Sequence, residues 1–384
     1  MKYIIFEIEM GSQPNILLLG DYSNCHRTLA TGLRALGCTV TIASDGSRWM
    51  NTQRDIDLSR SGGKLGGAGL LLRSSIGNLS RQMRGYDIVA IHDLNFLTLR
   101  PLWLRPLFRK LKKNSGSLFL SAMSTDIAYL DMVTPPHSPL RYSEWFVGDT
   151  PSRHHIANAD KWKQWHSKQL VSYQREVLEA LDGAVSVLYE YHLGMMRALG
   201  EDRCAYGGIP IDTQLFSQVS LPENPEKVKF FLGRDRTRKL MKGSDLLEIA
   251  ARSVVEEMPH AAELKIVENL PFDSFVGELR NAHVVLDQIY SYTPATTALM
   301  AMSLGIPTVS GGEPEYYDFI GEKENRPIFN APLHLPDLTD TLRSIVLNKT
   351  EIARRGAASR EFVLKHNSAE VVAKRFLDFW LSKL

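Results

Sequence analysis

The stretch from Asp287 to Phe319, DQIYSYTPATTALMAMSLGIPTVSGGEPEYYDF, gathers residues suited to holding an anion. It reads as strand, turn, helix, strand and a second polar loop. Ser291, Tyr292 and Thr293 fall in the turn, and Thr293 and Pro294 are expected at the N-cap and first helical positions. A helix N-terminus offers free N–H groups and a partial positive charge. Set beside Ser291, Tyr292, Thr296 and Thr297, it suits an anion. The helix body, ALMAMSL, is apolar all round, which predicts burial. An ordinary buried helix with a good cap would read the same way, so the turn alone decides nothing.

A second stretch, VKFFLGRDRTRKLMKGSD (228–245), adds charge. Arg234 follows the terminal Gly233 of a strand, and Lys242 precedes Gly243 and a helix expected to be capped by Ser244. In a parallel sheet this connection lies on the same edge as the Ser291–Thr293 turn. Two cations and a helix terminus on one edge make a clamp for a diphosphate, where fixed positive charge stabilises a departing anion. Loop cations are also commonly just solvated, and this connection has five of them.

The elements around these residues alternate strand and helix. NILLLG (15–20), a helix over His26–Leu36 stopped by Gly37, and CTVTIAS form a βαβ opening. Its turn, GDYSNCH, lacks the G-x-G-x-x-G dinucleotide fingerprint. SGGKLGGAG (61–69) has no Ser or Thr after Lys64 and is expected as a surface loop. Strands follow at 86–93 and 117–124, then an irregular aromatic stretch (135–168), a long helix (about 160–181) and the strand GAVSVLYE. A second alternating unit begins near 215, and helical patterns over 350–366 and 369–381 close the chain. The expected class is α/β, with two Rossmann-like domains at 14–205 and 215–366. Residues 369–384 are expected to pack back on the first. Two such sheets facing each other leave a cleft at the carboxyl ends of their strands, where open α/β sheets bind ligands.

Composition narrows the partners. The chain has 384 residues, a formal net charge of +2 and three scattered cysteines without C-x-x-C spacing. Nucleic acid, a disulfide framework and a metal site are not indicated. No apolar run approaches the roughly 20 residues of a spanning helix, and residues 1–13 lack a signal-peptide pattern and are expected to matter little. The reading is a cytoplasmic protein. LRPLWLRPLFRKLKKN (99–114) carries six cations and no acid among apolar residues. It suits either an interfacial segment (99–113) on the inner face of a membrane or a helix with a basic outer face. Pro106 is expected to break a helix there.

On these residues the second half resembles retaining glycosyltransferases of the GT-B fold, of the family-four-like, bacterial surface-polysaccharide type. The elements that carry the likeness are Gly233-Arg234 with Lys242-Gly243, the run Ala301–Val309 (AMSLGIPTV), the loop Gly311–Glu315, the linker GIPIDTQLF (208–216) and the C-terminal pattern RRGAASREFVLKHNSAEVVAKRFLDFW. The resemblance implies transfer of a sugar from a nucleotide-diphosphate donor to a glycan or lipid-linked acceptor. It implies Arg234 and Lys242 as catalytic cations and Gly233, Ser291, Tyr292, Thr293, Thr296 and Glu315 as donor contacts. No metal or other cofactor is expected. Acceptor-side candidates are Asp21, Tyr22 and Asn24 after the first strand, His92 and Asp93 after a later one, and the aromatics Tyr142, Trp145 and Phe146. The chain departs from the family where two glutamates are usual: they fall at Tyr292 and Met300. The family histidine falls at Met123. Ribose recognition must therefore differ or be lost. Two other functions stay open: a catalytically degenerate nucleotide- or glycan-binding protein, and a sugar-nucleotide epimerase.

Overall fold

The structure is a computed structural model that describes residues 13–47 and 50–384; the expectation for the first residues lies almost wholly outside that range. The first sheet contains β1 (Asn15–Leu19), β2 (Thr39–Ser44), β3 (Ile56–Asp57), β4 (Ile88–Ile91), β5 (Ser117–Ala122), β8 (Gly183–Ser186) and β9 (Cys204–Tyr206). Between β5 and β8 a small antiparallel hairpin forms from β6 (Phe146–Val147) and β7 (Thr150–Pro151). The second sheet contains β10 (Val228–Gly233), β11 (Ala262–Val267), β12 (Val284–Leu286), β13 (Thr308–Ser310) and β14 (Phe329–Asn330). Their orders are β3-β2-β1-β4-β5-β8-β9 and β11-β10-β12-β13-β14, and all neighbours in both sheets run parallel. Ile16 to Leu19 are fully buried. Helices cover both faces, so the strand reads as a continuous apolar run rather than an alternation.

The order reverses at β1/β4 in the first sheet and at β10/β12 in the second. Ligands of open α/β sheets bind outside the carboxyl ends of strands at such switch points. At these ends stand Asp21, His92 and Asp93 on one side, and Arg234 and Asp287 on the other.

Two segments link the sheets and pair with each other. Ile211 N–H donates to the Asn367 carbonyl (2.7 Å), and Ala369 N–H donates to that of Ile211 (3.0 Å). The final helix, Ala369–Leu381, then lies along the helix Cys25–Ala35. A Cβ at Gly32 would stand 2.2 Å from the Ala369 carbonyl oxygen, so only glycine allows this approach. Phe376 and Trp380 are buried there, and the Trp380 ring centroid lies 6.0 Å from that of Phe119.

Several local expectations are corrected. The 61–69 stretch is not a loop: it opens the helix Gly63–Ser75, because burial of Leu70 and Ser74 outweighs the poor helix propensity of its glycines. Pro106 does not break the helix Pro101–Lys113. It sits on the exposed side, where the carbonyl left without a helical partner meets water, while Leu104, Leu107, Phe108 and Leu111 are buried on the other side. The long helix near 160–181 is two, Ala159–Trp165 and Lys168–Ala180. Ser244 is the first residue of its helix and makes no capping bond; Gly243, at φ 68°, takes the N-cap position.

Candidate active site

The two carboxyl edges meet. Arg238, from the connection after β10, donates to the hydroxyl of Tyr22 just beyond β1, and its guanidinium stands 5.7 Å from the Tyr22 ring centroid.

On the second-domain side the organising group is Asp287, directly after β12 and 3 % exposed. One carboxylate oxygen accepts from Lys242 Nζ (2.9 Å). The other accepts from Ser310 Oγ (3.0 Å) and from the backbone N–H of Ala295 (3.3 Å). This corrects the expected cap. The helix is Thr296–Ser303 with Ala295 at its N-cap, so Thr293 and Pro294 lie outside it. Asp287 supplies the acceptor that Thr293 was expected to give, which leaves the Thr293 hydroxyl for another partner. Thr296 and Thr297 stand half-exposed at the helix mouth, and Met300 is buried further along.

That other partner is Glu190, from the first turn of the helix Tyr189–Leu199 in the first domain. Its Oε1 accepts from Ser291 Oγ (2.6 Å), Tyr292 N–H (2.5 Å) and Thr293 N–H (3.2 Å). Its Oε2 accepts from Thr293 Oγ1 (2.5 Å). Four donors of one three-residue turn thus converge on a single buried carboxylate from across the cleft. The turn is an anion site, and Glu190 fills it.

The loop 311–315 packs against this turn. A Cβ at Gly311 would lie 2.2 Å from the Ser291 carbonyl oxygen. Glu313 N–H donates to the Tyr292 carbonyl (3.2 Å). The Glu313 carboxylate accepts from Arg141 (2.5 Å), the Tyr142 hydroxyl (2.6 Å) and Asn330 (2.9 Å). Glu315 pairs with the same Arg141 (3.2 Å). Tyr292 accepts at its hydroxyl from Arg141 N–H (2.6 Å), and its ring lies 4.8 Å from that of Tyr142. Tyr292 therefore closes the interface rather than presenting an acid to a ligand. Trp145 and Phe146 are buried in an aromatic cluster with Trp162.

The expected joint clamp of Arg234 and Lys242 is not assembled here. Arg234 is held by Glu248 and Glu268 on the β11 side, and these carboxylates raise its pKa. Lys242 is the cation that stands with the helix mouth, through Asp287. Among the described residues both cations are matched by carboxylates that the sequence reading did not pair with them.

On the first-domain side Asp21 accepts from His26 N–H (2.9 Å), and burial pushes its carboxyl up to about 6. The His26 ring lies between the Gly20 carbonyl (2.7 Å) and Ser121 Oγ (2.8 Å), and burial pushes its pKa down to about 3. It is a neutral structural histidine. Asn24 adopts a left-handed backbone (φ 64°) and its side-chain amide donates to Thr28 Oγ1 (3.3 Å). A Cβ at Gly20 would come within 1.7 Å of the His92 ring, so Gly20 lets that ring sit on the end of β1. Asp93 accepts from Asn95 N–H (2.6 Å) within its own loop and from Ser124 Oγ (2.5 Å) beyond β5, so it ties the ends of β4 and β5 together. Sequence reading missed Glu190, Asp287, Arg141, Glu313 and Arg238. For Glu190 and Asp287 there was a signal: each is an acid at or just beyond the carboxyl end of a strand.

No protein-family model matches the chain, and no curated protein does. Solved structures match its fold throughout. Sucrose-phosphate synthase from Thermosynechococcus elongatus matches at a TM-score of 0.60 and 13 % identity, over 96 % of this chain and 98 % of that one. The fold is GT-B. HepE from Anabaena, solved with UDP and glucose, matches at 0.57 and 10 %, over 97 % and 100 %. A putative UDP-N-acetylglucosamine 2-epimerase from Listeria monocytogenes matches at 0.53 and 12 %, over 96 % and 95 %. The chain spans about half (55 %) of the longer TarM from S. aureus, at a TM-score of 0.50 and 12 % identity over 76 % of its own length. Transferases and an epimerase thus share this GT-B architecture of two Rossmann-like domains, and the chemistry must be argued from the site.

Proposed function

We propose that the protein is a retaining glycosyltransferase that binds a nucleotide-diphosphate sugar between its domains and transfers the sugar to a glycan or lipid-linked acceptor. The observation that carries this reading is the convergence of Ser291, Tyr292 and Thr293 on one carboxylate. Two N–H and two O–H donors that satisfy a carboxylate also suit the oxygens of a phosphate. The turn lies beside the mouth of the helix Thr296–Ser303 and beside Lys242.

In this reading the donor diphosphate takes the place of Glu190, which withdraws as the domains part. Lys242 and the turn then stabilise the negative charge that grows on the diphosphate as the sugar leaves. Arg234 joins them by exchanging Glu248 or Glu268 for phosphate oxygens. With these groups on the diphosphate, the reading needs no metal. Glu315 and Thr296 complete the donor side, and the loops carrying Tyr22, Asn24 and His92 face them from the acceptor side. A cytoplasmic protein working at the inner face of a membrane fits the same reading. Uridine diphosphate is the first base to try, because HepE and TarM were solved with it.

The test is incubation with UDP-sugars, alone and with a panel of glycan acceptors, followed by mass spectrometry and NMR. Acceptor-dependent gain of one sugar supports the proposal. Conversion of donor to its epimer without acceptor makes the protein an epimerase. UDP binding with neither reaction makes it a binding protein.

A further inference from the structure

Between the helices Ile127–Val133 and Lys168–Ala180 the first domain carries an insertion, residues 134–167. Its own bonds hold it as one unit. Ser143 N–H donates to the Phe146 carbonyl (2.7 Å), Gly148 N–H to that of Arg141 (2.8 Å) and Ser152 N–H to that of Trp145 (2.9 Å). The Trp162 ring centroid lies 4.5 Å from that of His155, 4.4 Å from that of His166 and 4.9 Å from that of Trp145. The Tyr129 hydroxyl donates to the buried Glu144 carboxylate (2.5 Å), which fixes the insertion to its own domain.

This unit reaches the second domain on both sides of the site formed by Lys242 and the turn 291–293. On one side Arg141 pairs with Glu313 and Glu315, and the Tyr142 hydroxyl donates to Glu313 (2.6 Å). Tyr292 plugs into the insertion there, buried in one cluster with Leu140, Tyr142, Trp145 and Phe146. On the other side the helix Arg153–Ala157 lies against Lys239–Lys242, and Arg153 pairs with Asp245. The insertion therefore spans the site from wall to wall, while Glu190 from the same domain fills the turn. The Arg141 and Arg153 side chains are 57 % and 46 % exposed, so water can take both when they let go. The backbone pairing of Ile211 with Asn367 and Ala369 joins the two domains independently of these contacts.

We propose that the insertion is a lock that holds the ligand-free protein closed, and that its release governs how readily the cleft admits a ligand. A site that opens in only a fraction of molecules binds with an affinity reduced by that fraction. Tyr292 is the bolt, and Arg141, Tyr142 and Arg153 are the polar contacts that keep it seated. That the ligand is a nucleoside diphosphate rests on the function proposed above; the closed resting state does not.

The experiment is small-angle X-ray scattering of the full chain without ligand, paired with stopped-flow binding of UDP. Wild type should scatter as the closed structure. Arg141→Gln with Arg153→Gln removes two half-exposed cations and should leave the fold of each domain intact. Its radius of gyration should rise, and UDP association should quicken about tenfold, because the buried Glu313 loses a charge-assisted hydrogen bond that only the closed state makes. Tyr142→Phe keeps the ring and drops only the hydroxyl on Glu313, and should move both readings in the same direction. Scattering by both variants that matches wild type overturns the proposal, as does a wild-type profile that fits only parted domains. Opening of the variants without any binding of UDP leaves the lock standing and removes the donor reading, so the two failures are told apart.

Discussion

Replacing Glu190 by Gln removes the charge and turns one accepting oxygen into an NH2 donor among the turn's own donors, so donor affinity should rise rather than fall. Three of the four contacts to its carboxylate are 2.5–2.6 Å long. Hydrogen bonds to a charged group contribute about 1.5–3 kcal/mol, against about 0.5–1.5 kcal/mol for neutral ones. The difference is about 1–1.5 kcal/mol per bond, about 3–4.5 kcal/mol for the three short bonds, and because contacts to one side chain are not additive we take about 2 kcal/mol for the side chain as a whole. A diphosphate that must displace this side chain then binds about 30-fold more tightly, at 1.4 kcal/mol per tenfold. Calorimetric titration of wild type and Glu190→Gln with UDP measures the difference, and uridine serves as a control without the diphosphate. The uridine affinities should stay within about twofold of each other. If the variant binds UDP as wild type does, or more weakly, Glu190 does not occupy the donor site and the reasoning fails.

Lys242→Ala should cut turnover by about 10²–10³. It should also lower the unfolding free energy by about 1–3 kcal/mol, because Asp287 is left buried without its cation; an unchanged turnover number would remove Lys242 from the site. Gly311→Ala should displace the turn, since the new methyl would fall 2.2 Å from the Ser291 carbonyl, and weaken UDP binding with about 1–3 kcal/mol lost in a urea melt. The Asp126 carboxyl, which caps the helix Ile127–Val133, is pushed up to about 7 by burial. The folded protein therefore keeps a proton that the unfolded chain releases, and this group's stabilisation is fully present below about pH 4 and lost as pH rises to about 7. Asp126→Asn should gain on wild type across that interval by on the order of 1.4 kcal/mol per pH unit, and parallel stability curves would refute the assignment.

Much of this architecture was legible in the chain. The apolar runs at 15–19 and 228–232, each ending in glycine, mark strands buried on both faces, and their alternation with helical patterns gives the parallel sheets. The turn 291–293 was legible as an anion site because its hydroxyls and N–H groups are local. What fills it was not, because Glu190 lies about a hundred residues away, and only the meeting of the two domains brings it to the turn. The same holds for Arg141 with Glu313 and Glu315. Thr293 was misplaced as a cap for a related reason: Asp287, eight residues upstream of Ala295, caps the helix from the end of β12, a contact that no cap motif encodes. The helix Gly63–Ser75 was hidden by its glycines, whose local preference is overruled by burial of Leu70.

A crystal structure of the protein with UDP shows whether the turn 291–293 receives the diphosphate. Diphosphate oxygens should lie within hydrogen-bonding distance of the Tyr292 and Thr293 N–H groups, with Lys242 Nζ turned toward them and Glu190 withdrawn from the turn. UDP bound in the cleft with Glu190 still holding Ser291, Tyr292 and Thr293 would contradict it.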